Sequence, residues 1–121
     1  MKGLLCIAHG SRREQSNLEF TTMVMLLKPR LHETYTLIDA AFLEFSLPSI
    51  DTALDDMIHN GMQEVHVYPF FLNSGKHVHH DIPEYIEKFK KQYPDVRLNL
   101  LKHFGSSEHI LELIEKDLKE Y

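Results

Sequence analysis

The sequence predicts an α/β fold: a three-layer α/β/α sandwich with a four-stranded, mainly parallel sheet. Three observations carry this. Short apolar runs alternate with amphipathic stretches along the chain. The stretches between the runs hold apolar residues at helical spacing. The resulting order is β-α-β-α-β-α-β-α, and strands separated by helices favour parallel pairing with helices on both faces.

The elements follow in order. "GLLCIA" (3–8) reads as the first strand. "SRREQSNLEFTTMVMLLKPRL" (11–31) reads as a helix, with Ser11 and Glu14 in the S-x-x-E pattern of a capping box. Pro29 is expected to end or distort that helix near its last turn. "YTLIDAAFLEF" (35–45) contains the second strand. Ile50, Ala53, Leu54, Met57 and Ile58 recur on one helical face, and Gly61 is placed to stop that helix. "EVHVYPFF" (64–71) is the third strand. The stretch from 72 to 81 reads as a loop. Ile82, Tyr85, Ile86 and Phe89 share a helix face that starts near Pro83. "VRLNLLKHF" (96–104) is the fourth strand, and Ile110, Leu111, Ile114 and Leu118 make the last helix.

The 121 residues fit a single domain, 1–121, with no linker, repeat or low-complexity stretch. Apolar content of 43% and charged content of 26% are those of an ordinary globular protein. No apolar run approaches the roughly 20 residues that span a bilayer. The opening "MKGLLCIAHGS" has one lysine and only a short apolar run, Leu4 to Ala8. It reads as a strand rather than a signal peptide, so a cytoplasmic protein is expected. The single cysteine, Cys6, has no internal partner and reads as a buried, inert thiol. A net charge of −5 argues against nucleic-acid binding. A four-stranded sheet is small for a doubly wound domain, so pairing with a second copy is expected.

In open parallel sheets, ligands bind outside the carboxyl ends of the strands. The first strand runs into "AHGSR", with His9, Ser11 and Arg12. The second ends at "FLEFS", with Glu44. The third leads to "LNSGKHVHHD", with His77, His79, His80 and Asp81. The fourth ends at "LKHFG", with His103. Each strand thus brings a histidine or a carboxylate to one rim. Each also has a plainer reading: a Gly10 turn for His9, an exposed strand end for Glu44, a solvated loop for the histidine cluster, and a helix cap for Asp81. His66 alternates within a strand and reads as packed or surface. His32, His59 and His109 read as background. Neutral imidazoles from two loops with a nearby carboxylate could hold a divalent ion with open positions.

"LLCIAHGSR", "AFLEFSLPSI" and "VYPFFLNSGKHVHHDIP" together resemble the short-form sirohydrochlorin chelatases of the CbiX type. The resemblance covers nearly the whole chain in the expected order. It implies a chelatase-like fold and a metal chelatase, a lyase that inserts cobalt, iron or nickel into sirohydrochlorin. Such enzymes serve cobalamin, siroheme or nickel-tetrapyrrole (porphyrin-type) biosynthesis. It also implies a homodimer, with Co²⁺, or Fe²⁺ or Ni²⁺, as a substrate and no organic cofactor. The family's two metal-binding histidines fall on His9 and His77, and its acidic residue on Glu44. His79 and His80 take no role from it. "LKHFGSSEHI" departs from the proline-leucine-glycine often found there.

On this reading His9 and His77 hold the ion, while an imidazole or Glu44 accepts the pyrrole protons. Ser11, Arg12 and Lys76, with backbone N–H groups near Ser11, bind the carboxylates of the substrate. Phe70, Phe71 and Leu72 are candidates for an apolar wall. Two other readings remain. A histidine phosphatase would need arginine where Ala8 stands. A non-catalytic cobalt or nickel carrier or sensor could use the same histidines.

Overall fold

The computed structural model describes all residues, 1–121. It contains the strands β1 (Lys2–Ala8), β2 (Leu37–Phe42), β3 (Glu64–Pro69) and β4 (Arg97–Leu100). The helices are α1 (Glu14–Leu31), α2 (Ile50–His59), α3 (Ile82–Gln92) and α4 (Ile110–Leu118). A π-helical turn, His77–Asp81, runs directly into α3, and a 3₁₀ turn, Phe104–Ser106, precedes α4. All pairings are parallel, in the order β2-β1-β3-β4.

Period-two alternation sorts the strand residues into two cores. Leu5 and Ile7 of β1, with Ala41, Val65, Val67 and Leu98, meet α2 and α3. Leu4 and Cys6, with Ile38 and Phe42, meet Phe20 and Val24 of α1. A strand covered on both faces needs apolar residues throughout, which explains the unbroken "LLCI" of β1. Each fully buried Leu, Ile or Phe is worth ~1.5–3 kcal/mol, so these cores hold the fold independently of the polar rim.

The first helix starts later than its capping box predicts. Ser11 Oγ accepts the Arg13 N–H at 3.0 Å, and the Ser11 N–H donates to Asn17 Oδ1 at 2.8 Å. Ser11 is therefore held in a turn, and α1 begins at Glu14 without a side-chain cap. Pro29 lies inside α1, which ends two residues later at Leu31. There the lost hydrogen bond falls in the final turn, where the cost is smallest.

The fourth strand is shorter than expected. Only Arg97–Leu100 pair with β3, because β4 is the sheet edge and Leu98 is its one buried residue. The last helix forms but buries no residue. Leu111, Leu113, Ile114 and Leu118 are 46–77% exposed. On the α1 side of the sheet, His66 and Tyr68 of β3 are only half-buried, whereas Val65 and Val67 on the other face are fully buried.

Candidate metal centre

Strand order reverses at β1, which has β2 on one side and β3 on the other. The connections after β1 and β3 turn to opposite faces of the sheet, α1 on one and α3 on the other, and leave a crevice between them. His9 follows β1, Glu44 lies two residues beyond β2, and His77 opens the π-helical turn after β3. The loops are tied by extensions of the strand pairing. The Leu43 N–H donates to Ala8 O at 3.1 Å and the Glu44 N–H to His9 O at 3.0 Å. Gly10 makes this approach possible. Its φ of 93° is in the left-handed region, and a Cβ there would lie 1.8 Å from Glu44 O.

Three side chains converge as a result. His9 Nε2 lies 3.3 Å from Glu44 Oε1, and the His9 and His77 rings are 4.7 Å apart between centroids. One ligand atom from each of His9, Glu44 and His77 falls within 4.8 Å of the others. The second nitrogen of each imidazole is engaged. His9 Nδ1 is 2.9 Å from Gly10 O, and His77 Nδ1 is 2.6 Å from Asp81 Oδ2. A carbonyl and an ionised carboxylate only accept, so both Nδ1 atoms donate. In the neutral rings this leaves the Nε2 lone pairs for an ion. The close approach of His9 Nε2 to Glu44 Oε1 then brings two acceptors together, and a proton or a cation between them relieves the repulsion.

Asp81 was not singled out as a site residue by the sequence, which offered it as a helix cap. It caps nothing; its backbone is already helical and its side chain accepts no backbone N–H of the first turn. Its carboxylate spans two histidines, with Oδ2 on His77 and Oδ1 3.2 Å from His80 Nδ1. The hydrogen bond from His80, joined by those of His77 and the charge of Lys76, holds its carboxyl below the usual carboxylate range despite partial desolvation. The signal was present as the i, i+4 spacing of His77 and Asp81, which only a helical backbone turns into a contact.

The other candidates lie around this centre. The Arg12 guanidinium sits 5.1 Å above the Phe45 ring. Lys76 immediately precedes the π-helical turn. The Ser11 and Arg13 N–H groups are engaged within the turn that precedes α1. Phe70 packs inward between Phe20 and Phe104, at 5.6 and 4.9 Å between ring centroids, and belongs to the core rather than to a wall. Phe71 borders the site, 6.3 Å from the His77 ring. Leu72 is exposed, with its carbonyl pressed against Gly105.

A cleft of about 810 Å³ opens beside the centre, bounded by Leu43, Glu44, His77, Tyr85, Lys88 and Lys91. The two lysines were not picked out from the sequence, since their position on α3 is ordinary until the helix is docked. His66 lies at the opposite end of the sheet. It accepts from Tyr35 OH at 2.7 Å and donates to Glu64 at 2.9 Å. That bond, with Arg97 adding to it, keeps the Glu64 carboxyl below its ordinary range. His59 bonds the Asp55 carbonyl, and the His109 side chain pairs with Glu108.

The family model described as CbiX matches residues 3–121. The chain belongs to the CbiX family. It is 30% identical over 112 residues to the chloroplastic sirohydrochlorin ferrochelatase of Arabidopsis thaliana, covering 93% of this chain and 49% of that protein. It is 28% identical over 120 residues to the sirohydrochlorin cobaltochelatase of Sulfurisphaera tokodaii, covering 99% of this chain and 93% of that one. Among solved structures it resembles the sirohydrochlorin chelatase SirB of Bacillus subtilis subspecies spizizenii in complex with cobalt. That match has a TM-score of 0.85 at 27% identity and covers 98% of this chain and 50% of the other. The chain spans about half the length of the first curated relatives it matches. The four-stranded parallel sheet and its helices are the α/β architecture of these CbiX and SirB chelatases.

Proposed function

We propose that this CbiX-family chain is a metal chelatase that inserts a divalent ion, cobalt foremost and otherwise iron or nickel, into sirohydrochlorin. The convergence of His9, Glu44 and His77 at the sheet's switch point carries this reading. The names of the relatives, cobaltochelatase and ferrochelatase, support it.

Two neutral imidazoles and one carboxylate suit a first-row divalent cation. With three protein ligands, positions remain open toward an incoming ring. Insertion exchanges the ion's remaining ligands for four ring nitrogens, and two pyrrole protons leave. Glu44, freed of the metal, accepts one; the vacated His9 Nε2 is placed to accept the other. Side-chain exposures of 40% for His9 and 48% for Glu44 keep the site open to solvent and to an incoming ring. Arg12, Lys76 and the hydroxyl of Ser11 take carboxylates of the substrate, and Lys91 on the cleft wall adds a cation. These offset the net acidity of the chain locally.

The reading extends to a single chelatase-like unit over 1–121 that works as a cytoplasmic homodimer. The apolar face of α4 and the half-covered β3 on the α1 side support a second copy. No helix is long and apolar enough to cross a membrane.

The test is insertion of Co²⁺ into sirohydrochlorin, followed by the absorbance change of the ring. His9→Ala and His77→Ala should each lower kcat/KM by about 100-fold or more. Their folding should be unchanged, as both side chains lie outside the cores. Turnover near wild type in both variants ends the proposal. Tight Co²⁺ binding by wild type without any turnover would instead favour a metal carrier.

A further inference from the structure

Beyond His77, the chain assembles a second group of ligand atoms. His80, Asp81 and Glu84 bring one imidazole nitrogen and two carboxylate oxygens within 4.8 Å of one another. His80 Nδ1 lies 3.2 Å from Asp81 Oδ1 and 3.6 Å from Glu84 Oε2. The three residues straddle the passage of the π-helical turn into α3: His80 and Glu84 share a face at i, i+4, and the Asp81 carboxylate reaches back to His80. No lysine or arginine nitrogen comes within 4.0 Å of either carboxylate. The group lines the same cleft as Glu44 and His77. Asp81 belongs to both groups: one oxygen holds His77 and the other faces His80.

The geometry points to a second divalent-cation site, formed by His80, Asp81 and Glu84, that receives the hydrated ion and passes it to His9, Glu44 and His77. The transfer rests on the reading of those three residues as the insertion site. Two considerations give its direction. The side chains of His80 and Glu84 are 62% and 70% exposed, against 35–48% for His77, His9 and Glu44, so the outer group presents more of its ligand surface to an ion from solvent. The outer group also offers two carboxylates to one imidazole, which balance the charge of a cation that still keeps water. The inner group offers two imidazoles to one carboxylate, and nitrogen ligands favour cobalt and nickel more strongly than oxygen ligands do. The ion therefore moves from an accessible, oxygen-rich site to a less exposed, nitrogen-rich one across a shared carboxylate.

The test uses Co²⁺ alone in equilibrium dialysis, without tetrapyrrole, on three proteins: wild type, His80→Ala/Glu84→Gln, and His9→Ala/His77→Ala. Each double variant should bind one Co²⁺ fewer per chain than wild type, with the thermal melt of the apo-protein retained. In the insertion assay, His80→Ala/Glu84→Gln should raise the KM for Co²⁺ about tenfold and leave kcat at saturating Co²⁺ unchanged. A full Co²⁺ complement in that variant, or an unchanged KM for Co²⁺, overturns the inference. Loss of an ion from His80→Ala/Glu84→Gln but none from His9→Ala/His77→Ala would uphold the outer site and overturn the insertion-site reading instead.

Discussion

Gly10 lies directly against the backbone carbonyl of Glu44, with room for a hydrogen and nothing larger: a Cβ would stand 1.8 Å from that oxygen. The contact draws the exits of β1 and β2 together and so sets His9 beside Glu44. Gly10→Ala meets two penalties, the left-handed φ of 93° and the collision. The backbone conformation alone costs on the order of 1–3 kcal/mol. We expect a loss of about 2 kcal/mol or more, a fall in Tm of roughly 8 °C or more, and weakened Co²⁺ binding. Thermal unfolding and metal titration of the variant check this; a wild-type Tm with unaltered binding would contradict it.

Asp81 orients His77 through a 2.6 Å hydrogen bond. Asp81→Asn keeps the shape but removes the charge that fixes the Nδ1–H tautomer. Co²⁺ affinity should fall 10–100-fold, the usual cost of losing such a partner. The pH dependence follows from its lowered pKa, caused first by the His80 hydrogen bond. The carboxylate's contribution is complete above the ordinary aspartate range, near pH 3.9, and is lost only as pH falls through the lower folded value. Asp81 therefore keeps its charge between about pH 5 and 8, and the affinity loss of Asp81→Asn should be measurable throughout that interval. Calorimetric Co²⁺ titration at about pH 7.5 checks it; wild-type affinity in Asp81→Asn would contradict the assignment.

The face of α4 formed by Leu111, Ile114 and Leu118 has no cover within the chain. If a second copy covers it, Leu111→Glu/Ile114→Glu should convert a dimer into a monomer. Light scattering at micromolar concentration measures both. A monomeric wild type, or a double variant that remains dimeric, would remove α4 from the interface.

Burial pushes the Cys6 thiol up to about 12. Cys6 is 2% exposed, within the core under α1. A thiol-specific reagent at about pH 8 should leave it unlabelled in the native protein and react promptly after denaturation. The raised value also has a sign for stability. The neutral thiol's contribution is intact below the free-thiol value of about 8.5 and is lost as pH rises toward the folded value. Stability should therefore decline in that alkaline interval, and Cys6→Ala should flatten the decline; rapid native labelling would sink the assignment.

Local periodicity determined much of this protein. Apolar runs and helical spacing set out four strands and four helices, because alternation and the 3.6-residue repeat are properties of neighbours in sequence. His9, Glu44 and His77 were legible as residues following strand ends, and "LLCIAHGSR", "AFLEFSLPSI" and "VYPFFLNSGKHVHHDIP" together carried the resemblance to the CbiX family. Tertiary structure decided the rest, because the deciding partners are distant along the chain. Ser11 reads as a helix cap until Asn17 and Arg13 hold it in a turn. Residues 77–81 read as a loop until they continue α3 backward as a π-helical turn, which is what brings Asp81 to His77. The length of β4 depended on its place at the sheet edge, and the bare face of α4 on the absence of any neighbour. The meeting of His9 with His77, 68 positions apart, required the parallel order β2-β1-β3-β4, which no local pattern encodes.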